Sequence, residues 1–136
     1  MSFQLDPRLA ADTRPVGDLN LSRLLLHNDS RFPWCVLVPQ RKGLRELHEL
    51  SSDDKLLMWR EVDRVSLALQ ALFEPDKLNV AALGNQVSQL HVHIIARYHK
   101  DAAWPAPVWG RGTAQPYPEA AAFSRIQALR RQLDLR

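Results

Sequence analysis

Gln89-Leu90-His91-Val92-His93-Ile94-Ile95 is the stretch that decides how this chain of 136 residues is built. Apolar side chains stand at 90, 92 and 94, with Gln89, His91 and His93 between them. Successive side chains of a β-strand point to opposite faces, so the alternation reads as a strand over 90–95 with Leu90, Val92 and Ile94 toward a core. Gln89, His91 and His93 then share the other face, the two imidazoles side by side with roughly 6–7 Å between their Cα atoms. A slip of one residue would exchange the two faces, so the apolar set fixes the register. The histidines are expected to face a groove or solvent.

Working outward, Leu78 to Leu83 reads as a neighbouring strand that breaks at Gly84-Asn85. Before it, Leu56, Trp59, Val62, Asp63, Val65, Leu69 and Leu72 recur mainly at three- and four-residue steps. That spacing predicts a long amphipathic helix, capped by Ser51 or Ser52 and ending before Pro75. Leu19 to His27 turns apolar through Leu21, Leu24, Leu25 and Leu26 and stops at His27-Asn28-Asp29-Ser30, and Trp34–Pro39 is a second β-rich run, together a hairpin. The first twenty residues read as a short strand or arm followed by irregular chain. Four prolines and two glycines make 104–118 irregular, and from Pro118 a terminal helix follows through Ala121, Ile126, Leu129 and Leu133. The order implies an α+β domain spanning 1–136 with a mostly antiparallel sheet of about five strands. Its core is expected at about 19–110 and its C-terminal helix at about 118–135.

An apolar share of 46% and a charged share of 24% exclude a disordered, collagen-like or coiled-coil chain. No apolar run approaches the roughly 20 residues of a membrane span, and no secretory leader opens the chain. Cys35 is the single cysteine and cannot form an internal disulfide. These features point to a cytoplasmic protein with no membrane partner. The net charge of +3 suits an anionic ligand such as a nucleotide. No basic stripe with interleaved aromatics argues for nucleic acid.

Three chemistries fit His91 and His93. They can be two histidines on a polar sheet face with no further role. They can ligate a metal, for which His27, His48, His99, Asp29 and Glu46 are the free third ligands, without supporting spacing. Or one imidazole attacks phosphorus while the next places a donor on the phosphoryl oxygens.

The longer string Leu83–Ile95, with its polar glycine loop and His-Val-His-Ile-Ile, resembles the histidine triad (HIT) superfamily of nucleotide hydrolases and transferases. The likeness takes in the hairpin and long helix, roughly Leu19 to Arg97. It implies a HIT-like fold, a purine nucleotide or nucleotide conjugate as partner (a dinucleoside polyphosphate or a nucleoside phosphoramidate), no cofactor and no metal. It implies His91 as the nucleophile that takes the nucleotidyl group and His93 as the phosphate donor. Gln89 replaces the first histidine of the triad; it can donate and accept but carries no proton. The resemblance further places Asn28 or Asp29 at the ribose and Asn85 and Gln86 at the phosphates. It implies a homodimer, with the helix at 53–73 as a surface. A nucleotide sensor that binds without turnover is the alternative, which Gln89 keeps open. Cys35 is expected as a small buried hydrophobe. Of the two tryptophans in the proline-rich strip, Trp109 is expected to cover the chain's own core.

Overall fold

The computed structural model describes residues 2–135. In chain order the elements are α1 (Pro7–Asp12), β1 (Thr13–Asp18), β2 (Ser22–His27), β3 (Trp34–Pro39), a 3-10 turn (Leu47–Glu49), α2 (Ser52–Phe73), β4 (Lys77–Ala81), β5 (Val92–Arg97) and α3 (Glu119–Gln132). The five strands form one sheet in the order β1-β2-β3-β5-β4, every neighbouring pair antiparallel. The fold is α+β, with one long and one C-terminal helix, as the sequence implies.

The long helix begins where Ser51 accepts a hydrogen bond from the Asp54 amide at 3.1 Å, with Asp53 and Asp54 in its first turn. It stops at Phe73, after which Glu74 turns left-handed before Pro75. Its buried face is Met58, Val62, Val65, Ala68 and Leu69, whereas Leu56 and Trp59 are exposed. The sequence reading put those two on the core stripe. They lie instead on the flank, and Trp59 edges an apolar groove of about 290 Å³ with Leu47, Met58 and Val80 beside edge strand β4. Glu61 is buried on the same helix, where its carboxylate accepts from the amides of Leu21 (2.6 Å) and Ser22 (3.0 Å). Those two bonds fasten α2 to the start of β2 and satisfy a group that would be costly to bury unpaired.

Both sheet faces are covered. Leu24, Leu26, Cys35, Leu37, Val92 and Ile94 pack on α2 and α3, joined by Leu90. The Cys35 thiol is fully buried there, and burial pushes its pKa up to about 12. Leu25, Trp34, Val36, Val38 and Ile95 form the second face, covered by Leu9, Ala103 and Val108 with Phe3, Leu5, Val87 and Trp109 alongside. The sequence reading missed α1, whereas the short strand or arm it expects in the first twenty residues is β1 at Thr13–Asp18. α1 is a six-residue helix started by Asp6, whose side chain accepts from the Arg8 amide, and it owes its place to burial of Leu9 rather than to periodicity. β5 begins at Val92, two residues later than the alternation predicts, because the Leu90 amide bonds to the Leu44 carbonyl outside the sheet. None of the helices among the described residues is long and apolar enough to cross a membrane.

Candidate functional site

The antiparallel register decides which side chains meet on the second face. Val36 stands opposite His93 and Trp34 opposite Ile95. Opposed residues share a face, so Trp34 lies diagonal to His93, within reach of a large ring. The covering layer on this face comes from two separate segments, the N-terminal arm with α1 and the stretch 103–112. Between them the sheet floor stays open as a cavity of about 440 Å³. His91 and His93 stand on its floor, Asn85 and Gln86 on one wall, and Trp109 and Arg111 on another.

The two imidazoles are 4.8 Å apart between centroids with planes at 72°. His91 Nδ1 is 2.7 Å from the backbone carbonyl of Gln89. A carbonyl only accepts, so Nδ1 carries the proton and the lone pair of His91 sits on Nε2. His93 is held in the opposite sense. The indole Nε1–H of Trp34 can only donate, and it lies 3.0 Å from His93 Nδ1. The proton of neutral His93 is therefore on Nε2. Burial, with His91 and His27 nearby, pushes the His93 pKa down to about 3, so the ring is neutral at physiological pH. One ring thus offers a lone pair and its neighbour an N–H.

Around them is an aromatic nest. His27 stacks on Trp34 at 3.8 Å between centroids, and Trp109 meets Trp34 and His93 edge-on at 5.8 and 5.1 Å. Burial lowers the His27 pKa despite Asp12 and Asp29. Trp109 therefore lines the cavity, which corrects the expectation that it only covers core. Trp104 stands elsewhere, against His99 and the Arg97 guanidinium. Trp34 is a cavity residue that sequence reasoning did not select, and His27, considered there as a spare metal ligand or a satisfied hairpin histidine, lines the cavity as well. The pairing of the hairpin strand with the His-x-His strand was the missing signal.

The remaining site residues divide. Asn85 and Gln86 line the cavity after Gly84, whose φ of +76° turns the loop back toward the sheet. Asp29 also lines it, but its carboxylate is already engaged, accepting from Arg31 at 3.0 and 2.8 Å and from the Gln115 amide at 3.3 Å. Burial alone would raise its pKa; Arg31 and the backbone donors hold it below the usual carboxylate range. Asn28 stands behind the cavity wall, accepting from the Tyr117 amide at 3.0 Å. The Gln89 side chain does not line this cavity: its carboxamide accepts from the Asp6 amide and donates to the Gln4 carbonyl, both at 2.8 Å. It is Gln89's carbonyl, not its side chain, that reaches His91. His48 and His99 are exposed. Among the described residues, no group of three His, Cys, Asp or Glu is placed to hold a metal ion.

A second unpredicted fixture holds the Trp109 wall. Arg97 is fully buried and its guanidinium bonds to Asp101 at 2.7 and 3.1 Å, to Asn79 at 2.7 Å and to the Ala106 carbonyl at 2.8 Å. Asp101 in turn accepts from the amides of Tyr98, Ala103 and Trp104. Burial would raise the Asp101 pKa, but these partners hold it far below the usual range. An irregular, proline-rich segment is thereby given one conformation.

Comparison with known proteins follows the same lines. The HIT domain family model matches residues 8–100. The chain is similar to a histidine triad protein from Bradyrhizobium japonicum, at 44% identity over 98% of this chain and 99% of that one, with a TM-score of 0.96. It is similar to another from Marinobacter aquaeolei, at 45% identity over 98% of each chain and a TM-score of 0.96. A third, from Sinorhizobium meliloti, shares 42% identity over 96% of each chain with a TM-score of 0.94. A search of curated proteins gave no match.

Proposed function

Because the chain belongs to the HIT domain family, whose members bind nucleotides, we propose that it is a nucleotide hydrolase or nucleotidyl transferase acting at the α-phosphate of a purine nucleotide conjugate. The observation that carries this reading is the opposed proton placement on His91 and His93. His91 Nε2 attacks the α-phosphorus, an N–P bond forms, and the bond to the leaving group breaks. Water then attacks the nucleotidyl-His91, the N–P bond breaks, and a nucleoside monophosphate leaves. Two easier displacements replace one difficult one. His93 donates its Nε2–H to a phosphoryl oxygen, where a neutral donor held among aromatic rings stabilises developing charge. The reading takes Asn85 and Gln86 as phosphate contacts, and the aromatic nest of Trp34, His27 and Trp109 as the apolar wall for the nucleoside.

The test is release of AMP from diadenosine tetraphosphate and from adenosine 5′-phosphoramidate, with chelator present, by wild type and His91→Asn. Wild type should release AMP, and mass spectrometry of the quenched protein should show a nucleotidyl adduct on His91. His91→Asn should lose turnover while AMP affinity stays within a few fold. AMP binding without release from any substrate would mean a sensor; a wild-type rate in His91→Asn would remove His91 from the reaction. The same reading includes a homodimer built on α2 and the β4 edge, where Leu47, Trp59 and Val80 are exposed around an apolar groove. A light-scattering mass equal to a single chain would refute that part.

A further inference from the structure

The N-terminal arm lies across the site in one fixed pose. Asp6 and Gln4 are tied by their backbone to the Gln89 carboxamide, Leu9 is buried against the second sheet face, and Thr13 Oγ1 donates to the Leu9 carbonyl at 2.7 Å. This places two charged residues of α1, Arg8 and Asp12, on the cavity wall, one helical turn and about 6 Å of rise apart. They mark different ends. Arg8 donates to Gln86 at 3.0 Å, in the loop beside Asn85, whereas Asp12 acts electrostatically on His27. Of the cations lining the cavity, Arg31 is spent on Asp29 and the Arg111 carbonyl. Arg8 makes a single side-chain hydrogen bond among the described residues, leaving most of its five donors for a ligand.

We propose that Arg8 is a specificity-determining residue which, held in place by Gln89, binds the phosphate chain beyond the reacting phosphorus and so selects substrates with an anionic phosphate leaving group, the dinucleoside polyphosphates, over phosphoramidates. The inference rests on the proposed function. Its physical content is geometric. The amide-bearing loop at Gln86 and the Arg8 guanidinium converge at one end of the cavity, and a planar guanidinium matches a phosphate in two parallel hydrogen bonds. A phosphoramidate whose leaving group is ammonia has nothing to offer there. Gln89 is then a positioning residue. The amide that replaces an imidazole in the triad supplies both a donor and an acceptor from one end of a side chain, which two backbone groups of the arm require.

The experiment compares kcat/KM for diadenosine tetraphosphate with kcat/KM for adenosine 5′-phosphoramidate and follows their ratio. In Arg8→Gln the ratio should fall about tenfold, the value of one charge-assisted phosphate contact. Arg8→Lys should recover part of it, and Gln89→Leu, which keeps the carbonyl that holds His91, should lower the ratio in the same direction. A ratio within twofold of wild type in Arg8→Gln overturns the proposal, as does an equal fall in Arg111→Gln, the same charge change elsewhere on the cavity wall. Calorimetric affinities for adenosine 5′-tetraphosphate and AMP provide the same ratio without turnover. A wild type that binds both yet releases no AMP would refute the enzymatic reading, while the Arg8→Gln binding ratio would still decide the role of Arg8.

Discussion

Replacing Trp34 by phenylalanine isolates the one hydrogen bond on which the assignment of His93 depends. Indole Nε1–H to His93 Nδ1 is 3.0 Å, with both residues buried at 4% and 6% exposure. Phenylalanine keeps a ring on His27 but leaves Nδ1 without a donor, at a cost of about 1–3 kcal/mol. His93 can avoid that cost by moving its proton to Nδ1, which turns Nε2 from donor to acceptor. If the indole bond contributes about 1.4 kcal/mol to the productive tautomer, its loss is tenfold in that population. kcat for AMP release should therefore fall about tenfold or more, with KM changed less because the nest persists. Total destabilisation of roughly 2–3 kcal/mol, including the smaller ring's void, leaves a folded protein on the usual margin of 5–15 kcal/mol. Steady-state kinetics give the rate, and nitrogen-15 NMR of the imidazoles gives the tautomer. A folded Trp34→Phe with kcat within twofold of wild type would refute the argument that this bond sets the phosphate donor.

Two further outcomes follow from the same contacts. Gln89→His restores a third imidazole, but one ring cannot reproduce the paired bonds to Asp6 and Gln4. The variant should lose about 1–2 kcal/mol and expose the arm to protease, and an unchanged melting temperature with an uncleaved arm would count against the Gln89 bonds as what holds the arm. The pH dependence follows from His93, whose pKa falls from 6.5 to about 3 on folding. The native state binds fewer protons in that interval, so stability is full above about pH 6.5 and drops as pH falls toward 3, by up to about 1.4 kcal/mol per pH unit. The His93 contribution lost between pH 7 and 4.5 is on the order of 2–3 kcal/mol, and His27 adds in the same direction. A urea midpoint that stays flat from pH 7 to 4.5 would contradict it.

Strong local periodicity made most of the architecture readable. The alternation at 90–95 placed Leu90, Val92 and Ile94 in the core and both histidines on the cavity face. The helix at Ser52–Phe73 announced itself through its spacing and cap. What was illegible depends on contacts between segments far apart in the chain. α1 is too short for periodicity and is held by Leu9 and by Gln89, which lies 83 residues from its partner Asp6. Trp34 reads as one more strand residue until the β3–β5 register sets it beside His93. The stripe assigned to α2 included Leu56 and Trp59 because hydrophobicity alone does not separate a core face from its exposed flank. Asn28 and Asp29 look like ligand contacts in a turn, yet their oxygens are taken by Tyr117, Arg31 and Gln115, whose approach no local pattern encodes.

Gln89 joins these levels, because it acts on the site through two different parts of one residue. Its carbonyl is a property of the backbone and holds the proton of His91 whatever the side chain is. Its carboxamide is a property of this sequence and holds the arm that carries Arg8. On the proposed reading, a glutamine at 89 in place of an imidazole therefore leaves the tautomer of His91 intact, since no side chain at 89 contributes to it. What the side chain at 89 governs is the arm on the cavity wall, which the proposed reading sets against the phosphates. The cost of giving up an ionisable group at 89 should thus be sought in discrimination between substrates, and not in the attack by His91 itself.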